Sequence, residues 1–572
     1  MIEKMSKYSF ILPSSGKEEF LRGIQDLGLV DITRSEKPAD ERSAALLDSI
    51  SQQKKLISEI EAGADGTLNL YNENLGLLLK EEAAQRIWGD WDREKIEALG
   101  LKLHFYSTAV KSYDASWESS WAIQKVSEDR KKVWFVIAGD NDGFPLRELP
   151  APTRTLSSLE NDIRQLQDTI GRYSAALEAR KSELPELRKK LAATENELAL
   201  AFASASAGSA AEELLTMFEG FAPSEDDARL AEAFDAMDVV WFRETAVVED
   251  NPPIEFRNNR FVKMFEVLTD MYGRPAYDGF DPTPFIAVFF MLFFAFCMGD
   301  AGYGLLLVAL GFGMKKVLGD ISSLVVTLGA ATTVIGFLFH TFFSMDIAGW
   351  QVFEPVKGIF LPAKIAGYDG TMVLSLVIGI IHLCLAMIVK TVTSTRQKGF
   401  LNSLGTWGWT LLIVGGVAVG AVSLAGVIDA ALTKWIIIAI GILSGLGIFL
   451  LNDIHRNPLA NIGSGLWETY NTVTGLLGDV LSYLRLYALG LAGAMLGKAF
   501  NDIGLMILGD GSTVALWLPF VLVILVGHVL NIAMCALGAF VHPLRLNFLE
   551  FFKNSGYEAA GRNYNPLKKE TD

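Results

Sequence analysis

The chain has 572 residues, 51% of them hydrophobic, with a formal net charge of −16 and three cysteines. That length exceeds one compact domain, and the acidic balance argues against nucleic acid as a partner. Cys297, Cys384 and Cys535 all fall in apolar runs, so they read as small hydrophobic residues and not as a disulfide framework or a metal site.

Residues 1–280 have the polar composition of a water-soluble protein. The start, MIEKMSKYSFILP, holds no apolar run long enough for a signal peptide, so this half is expected in the cytoplasm. Strand-like runs occur at Tyr8–Leu12, Leu101–Val110, Lys132–Ala138 and Val239–Phe242. Between them, residues 155–200 carry a heptad seam: Leu156, Leu159, Ile163, Leu166, Ile170, Tyr173, Leu177, Leu184, Leu187, Leu191 and Leu198, with Arg180 and Thr194 at two seam positions. Pro185 should bend it. A weaker stretch at 40–61, with Leu47, Ile50, Ile57 and Ile60, predicts an antiparallel partner arm in the same chain. The expectation for 1–280 is therefore two small α/β lobes joined by an antiparallel coiled coil. There is no G-x-x-x-x-G-K-[ST] phosphate loop, no H-E-x-x-H and no Cys/His cluster. A rod with lobes and no chemistry reads as a connector.

Residues 281–553 are a series of long apolar runs, which predict membrane-spanning helices. Candidate spans lie at about 283–298, 303–317, 322–343, 371–390, 404–428, 433–452, 465–502 and 514–552. Basic residues at Lys315/Lys316, Lys390/Arg396/Lys398, His455/Arg456 and Lys568/Lys569 are assigned to the cytoplasm, and the segment with Asp502 and Asp510 to the outside. The count must then be even. This favours about eight transmembrane helices, with GDAGYG (299–304) as a tight hairpin, Asp300 as a turn residue, and 554–572 as a cytoplasmic tail. The last two spans, each of about 38 residues, approach twice the hydrocarbon thickness and must tilt or project.

Polar and small residues line one face of span seven. Glu468, Asn471, Gly475, Gly478, Ser482 and Arg485 step by three and four, and Ala488, Ala492 and Gly493 continue the face. Span eight repeats the spacing with His528, Asn531, Cys535, Gly538, His542 and Arg545. Arg485 sits midway along its span, where a charge costs at least ~2.5 kcal/mol and cannot be shed. None of its neighbours three and four residues away is acidic, and Asp479 lies six residues back on another face. The small-residue face, Gly478, Ala488, Ala492 and Gly493, suits close approach by another helix. An arginine waiting for an acid delivered by a sliding partner fits this pattern. The stripes then read as aqueous paths, Glu468/Asn471 toward the cytoplasm and His528/Asn531 toward the outside. Histidines there can pass protons. His340, His382 and His455 lack such company and read as packing or loop residues.

At this point the residues resemble a known family. GDVLSYLRLYALGL (478–491) looks like the signature helix of the a/I membrane subunit of V-type and archaeal-type (V/A) ATPases, and AFVHPLRLNFLEFFKN (539–554) is similar to the family's last helix. NPPIEFRNNRFVKMFE (251–266), YGRPAY (272–277), DPTP (281–284) and MGDAGYG (298–304) also resemble it. The resemblance implies a non-catalytic, ion-translocating stator subunit with no cofactor, in a prokaryotic cell membrane. Arg485 matches the family's essential arginine facing the rotor carboxylate, and His542 and Arg545 match a second polar pair. The implied partners are a rotor ring of proteolipid c/K subunits, peripheral stalk subunits, the collar of the central shaft, and the lipid bilayer. Three positions depart from some members: Asn471 and Cys535 replace carboxylates, and Gly493 replaces a histidine. The rival reading is a secondary transporter with a cytoplasmic regulatory domain, which predicts an internal repeat among the spans.

Overall fold

The computed structural model describes residues 1–34, 40–63, 65–90, 93–98, 100–151, 154–210, 214–319, 321–349, 358, 360–365, 367–451, 457–509 and 514–570. His455, Arg456 and Asp510, used above to orient the spans, lie outside the described residues. The chain divides into two compact units, Met1–Phe10 with Glu219–Pro566, and Ile11–Phe218 with Leu567–Asp572.

Strand β1 (Met5–Pro13) begins in the first unit and ends in the second. The second unit continues with α1 (Lys17–Leu27), β2 (Asp31–Ile32), α2 (Glu41–Ala62), α3 (Gly66–Gln85), β3 (Leu103–Ala109), β4 (Ile123–Glu128), β5 (Lys132–Ala138), α4 (Leu156–Ala179) and α5 (Leu184–Ala205). Helix α2 packs on α5, and α3 on α4. Three of these helix starts, those of α2, α3 and α4, have a side-chain cap. The Asp40 carboxylate accepts from Ser43 N at 2.8 Å, Asp65 from Leu68 N at 2.8 Å, and the Thr155 hydroxyl from Ser158 N at 3.2 Å. Both arms break at the same level: Gly63 takes a left-handed φ of 62° on one, and a 3₁₀ turn at Arg180–Glu183 precedes Pro185 on the other.

The seam buries Ile50, Ile57, Ile60, Leu68, Leu159, Ile163 and Leu177, whereas Leu47 is 38% exposed. Across the seam Arg188 meets Glu61 at 2.6 Å, Lys54 meets Glu195 at 2.7 Å, and the Tyr173 hydroxyl donates to Asp65 at 2.6 Å. That last bond holds the Asp65 carboxyl below the usual carboxylate range. Strand β5 is the centre of an antiparallel sheet, β3-β5-β4, in register Leu103↔Ala138 to Ala109↔Lys132. Tyr106, Val133, Phe135 and Ile137 fill its core.

In the first unit β1 lies between β6 (Leu215–Pro223) and β7 (Val240–Thr245), and α6 (Asp227–Asp235) covers them. Phe234 packs edge-on against Tyr8 and Phe10, at 5.3 and 5.0 Å between ring centroids. Residues 556–566 are tied down: Arg562 O accepts from Ile254 N at 2.8 Å, and the Tyr557 hydroxyl donates to Gly273 O at 2.6 Å.

The apolar part of this unit comprises α7 (Thr283–Met298), α8 (Ala301–Gly313), α9 (Ile321–Leu338), α10 (Gly370–Lys398), α11 (Leu401–Leu424), α12 (Ala430–Phe449), α13 (Pro458–Leu508) and α14 (Trp517–Ser555). Six of these, α9 to α14, are long and apolar enough to cross a membrane. Helices α7 and α8 have 16 and 13 residues, about 24 and 20 Å at 1.5 Å per residue, which is short of a ~30 Å hydrocarbon core. The eight candidate spans therefore become six long helices and two shorter ones among the described residues. The break is chemical: Gly299 takes a left-handed φ of 52°, and the Asp300 carboxylate caps α8 by accepting from Tyr303 N at 3.1 Å.

Helices α8 and α9 meet backbone to backbone. A Cβ on Gly304 would lie 2.8 Å from Gly329 O, and one on Gly329 would lie 2.9 Å from Gly304 O. Phenylalanines of α7, including Phe290, Phe293 and Phe296, form the core against which Tyr483, Leu486, Ala539 and Phe551 pack.

Candidate functional site

Helix α13 has two unlike sides. Asp479, Tyr483 and Leu486 are buried. Asn471, Gly478, Ala488 and Ala492 are exposed, alongside Leu477 and Leu481, which are 62% and 63% exposed. Glu468, Ser482, Arg485 and Gly493 lie between these extremes. The polar stripe expected from the spacing thus follows the border between the packed and open sides.

Arg485 is on that border. Its Nη1 is buried and has no hydrogen-bond partner. Asp479 is occupied elsewhere: Asn554 Nδ2 donates to it at 2.7 Å, and Lys553 Nζ lies 3.4 Å away. On α14, His542 lies close enough to Arg485 and Arg545 to feel both charges, and its Nδ1 is also buried without a partner. Arg545 itself is exposed. Ser482 donates to Gly478 O at 3.1 Å and lies beside Glu550, whose Oε2 is a third buried, unpartnered atom. Each such atom carries a desolvation penalty of about 1–3 kcal/mol. Three within one neighbourhood mark an arrangement that its own chain leaves incomplete.

Two cavities flank this point. Glu468 and Asn471 line one of about 320 Å³, with Lys390, Thr410, Lys553 and Asn554. Ala492, Gly493, Asn531 and Gly538 line one of about 110 Å³, with Cys297 and Cys535. The cavities are separate, with Arg485 in the stretch of α13 between Leu476, which lines the first, and Leu489, which lines the second.

His528 and Asn531 belong to a hydrogen-bonded cluster. His528 Nδ1 is 2.7 Å from the Tyr303 oxygen, and Nε2 is 3.0 Å from Asn501 Oδ1. Asn531 Nδ2 donates to Tyr303 at 2.9 Å and to Gly493 O at 3.0 Å, and the Cys535 thiol donates to Asn531 Oδ1 at 3.4 Å. Cys535 and Gly493 touch closely enough that a Cβ on Gly493 would lie 2.6 Å from Cys535 Sγ. Two of the three departures from the family pattern, Gly493 and Cys535, therefore sit together. Asp300 accepts from Phe343 N at 2.9 Å and from Ser344 N at 2.6 Å as well as from Tyr303 N, so it acts as a turn anchor.

The structure thus brings Arg485, His542 and Arg545 together, and separately Asn531, His528, Gly493 and Cys535. It keeps Asp479 away from Arg485. Sequence reasoning missed Tyr303, Asn501, Lys553, Asn554 and the pair His382–Tyr483, joined at 2.9 Å between Nδ1 and the hydroxyl. Tyr303 alone carried a signal, as the tyrosine of the glycine-rich MGDAGYG. The others are single polar residues whose partners are distant in sequence.

The V-type ATPase 116kDa subunit family matches residues 144–319 and 466–569. Over 464 residues the chain is 29% identical to an A-type ATP synthase subunit I of Methanocaldococcus jannaschii, covering 73% of this chain and 64% of that protein. An A-type ATP synthase subunit I of Pyrococcus abyssi is 31% identical, over 56% of this chain and 48% of its own length. The chain therefore spans about half to two thirds of these archaeal relatives. It aligns along its whole length, and the whole length of the relative, with a V-type ATP synthase subunit I of Borreliella burgdorferi at 24% identity. The second matched stretch contains α14 and nearly all of α13, including Arg485 with its unpartnered Nη1 and every residue of both polar stripes. The chain belongs to the V-type ATPase 116kDa subunit family.

Proposed function

We propose that this chain is the membrane stator subunit of a rotary V/A-type ATPase or ATP synthase, and that it couples ion movement to ATP hydrolysis or synthesis on other subunits. The observation that carries the reading is the buried, unpartnered Nη1 of Arg485 beside an exposed strip of small residues. A rotor helix can approach Gly478, Ala488 and Ala492 closely and bring a carboxylate to the guanidinium. The cation favours the ionised carboxylate, so the rotor site releases its ion there. The cavity at Glu468 and Asn471 serves as the cytoplasmic half-path, and the Asn531/Gly493 cavity with His528 as the outer one. Arg485 lies between them and blocks direct leakage. His542 and Arg545 of α14 lie beside the guanidinium. In this reading the helices α7 to α14 give an eight-helix membrane domain over 281–553, with 1–280 and 554–572 cytoplasmic. The rod of 1–280 joins peripheral stalks and the central-shaft collar to the membrane.

The test is ATP-driven ion pumping by the assembled complex carrying Arg485→Ala. Pumping should vanish while assembly persists, and normal pumping would refute the reading. Arg485→Lys should also fail, because a compact ammonium cannot reproduce the planar guanidinium fork.

A further inference from the structure

The roles in the His528 cluster fix where its protons are. Asn531 and Asn501 each donate through Nδ2 to a backbone carbonyl, Gly493 O at 3.0 Å and Phe343 O at 2.8 Å. Carbonyls only accept, so both amide orientations are determined. Asn531 Nδ2 also donates to the Tyr303 oxygen at 2.9 Å. The Asn501 oxygen can only accept, so His528 Nε2 must carry a hydrogen; in the neutral imidazole Nδ1 is then bare and accepts the Tyr303 O–H at 2.7 Å. Nε2 carries the hydrogen and donates to Asn501 Oδ1 at 3.0 Å. For the neutral imidazole one assignment satisfies every bond, with the hydrogen on Nε2.

One oxygen is left over. Ser344 Oγ is buried and makes no hydrogen bond, yet it lies beside the Tyr303 hydroxyl. It fits because Gly497 has no side chain; a Cβ there would collide with Ser344 Oγ and reach within 2.8 Å of Asn531 Nδ2. Ser344 has a left-handed φ of 58° and its N–H is held by Asp300 at 2.6 Å. The turn is thus locked in the conformation that presents this hydroxyl to the cluster. A tyrosine O–H with two acceptors on offer, one engaged and one vacant, can swing between them.

We propose that His528 and Tyr303 form a proton relay on the path along α14, with Ser344 as the second acceptor for the Tyr303 hydroxyl, and that the ion carried past this chain is the proton. This rests on the reading of α14 as the lining of an ion path. In the forward step a proton delivered by water on the Ser344 side bonds to the Tyr303 oxygen as the tyrosine's own hydroxyl proton passes to Nδ1. Two O–H bonds break, one on the hydronium that delivers the proton and one on the tyrosine, while one O–H and one N–H form, leaving water, a neutral tyrosine whose hydroxyl now points at Ser344 and an imidazolium that donates from both nitrogens. The reverse step releases the proton. The 2.7 Å between the Tyr303 oxygen and His528 Nδ1 lies in the range proton transfer requires. A sodium ion finds poor ligands here. Hard cations prefer charged oxygens, and the Asp300 carboxylate nearby is occupied by three backbone N–H groups.

The experiment is ATP-driven proton uptake by the assembled complex in sodium-free proteoliposomes. Tyr303→Phe keeps the ring and removes the hydroxyl. His528→Gln can keep both hydrogen bonds, accepting from Tyr303 and donating to Asn501, but cannot take up a proton. Each should lower uptake by at least about tenfold. A purely structural histidine predicts no loss in His528→Gln, and that result overturns the relay. Added imidazole should restore part of the uptake in His528→Ala if that variant assembles. Wild-type uptake in an assembled Tyr303→Phe complex, or a strict sodium requirement of the unmodified complex, also overturns it. Arg485→Ala separates the two levels. If it pumps normally, the stator reading itself falls. If it is dead while Tyr303→Phe and His528→Gln pump normally, only the relay falls.

Discussion

The rod of the second unit and helix α13 of the first are both patterned in steps of three and four, but the chain closes one pattern and leaves the other open. In the rod, Ile57 and Ile60 on one arm and Leu159 and Ile163 on the other are buried, and Lys54, Arg188 and Tyr173 each meet an acid of the opposite arm. In α13, Gly478, Ala488 and Ala492 face outward and Arg485 Nη1 has no partner. An apolar seam closed by its own chain serves stability. In the stator reading, a small-residue face beside an unsatisfied cation serves a partner, because a chain that merely needed stability would have paired the arginine or omitted it.

The comparison can be broken at several places. The largest effect is expected where the membrane helices are closed most tightly. Gly304→Leu would drive α8 from α9 and cost about 3 kcal/mol through overpacking, read as a lowered melting temperature of the detergent-solubilised complex. In the rod, Ile57→Ala should cost about 2 kcal/mol and Leu47→Ala well under ~1 kcal/mol, since only Ile57 is buried. Local hydrogen exchange of α2 in the full chain measures both, and equal effects would mean the seam is misplaced. Lys553→Met removes the cation beside Asp479 but leaves the Asn554 bond. With Lys553 61% exposed, about 1 kcal/mol is at stake, and the same melting assay should detect it.

The smallest effect is a pH dependence. Asp65 has its carboxyl depressed by the Tyr173 hydrogen bond. Its contribution is therefore complete above the ordinary carboxylate range and is lost as pH falls below it. Tyr173→Phe should flatten that acid-side loss of rod helicity, followed by circular dichroism.

Much of this was legible in the sequence. The strand at Lys132–Ala138 and the helix at Thr283–Met298 fall where the pattern put them, because a dense apolar run bounded by turn residues has one economical structure. Helix α3 was missed. Its apolar residues, among them the exposed Leu70 and Leu77, keep no heptad, and its pairing with α4 depends on residues some 90 positions away. The two stripes were legible as spacing, but their partners were not. Spacing placed Asp479 on another face from Arg485 but could not show that Lys553 and Asn554 hold it from the far end of α14. Tyr303 joined His528 across 225 residues, a contact that periodicity cannot encode.

The claim that the open side of α13 meets a rotor is tested most directly by cysteine cross-linking in the assembled complex. Single cysteines at Gly478, Ala488 and Ala492 would be paired with a cysteine next to the ring carboxylate. Leu486→Cys serves as the control, because Leu486 is fully buried on the opposite side. The expected result is cross-links from the three open positions and none from Leu486→Cys. Cross-links absent from all three, or equally strong from Leu486→Cys, would contradict the account.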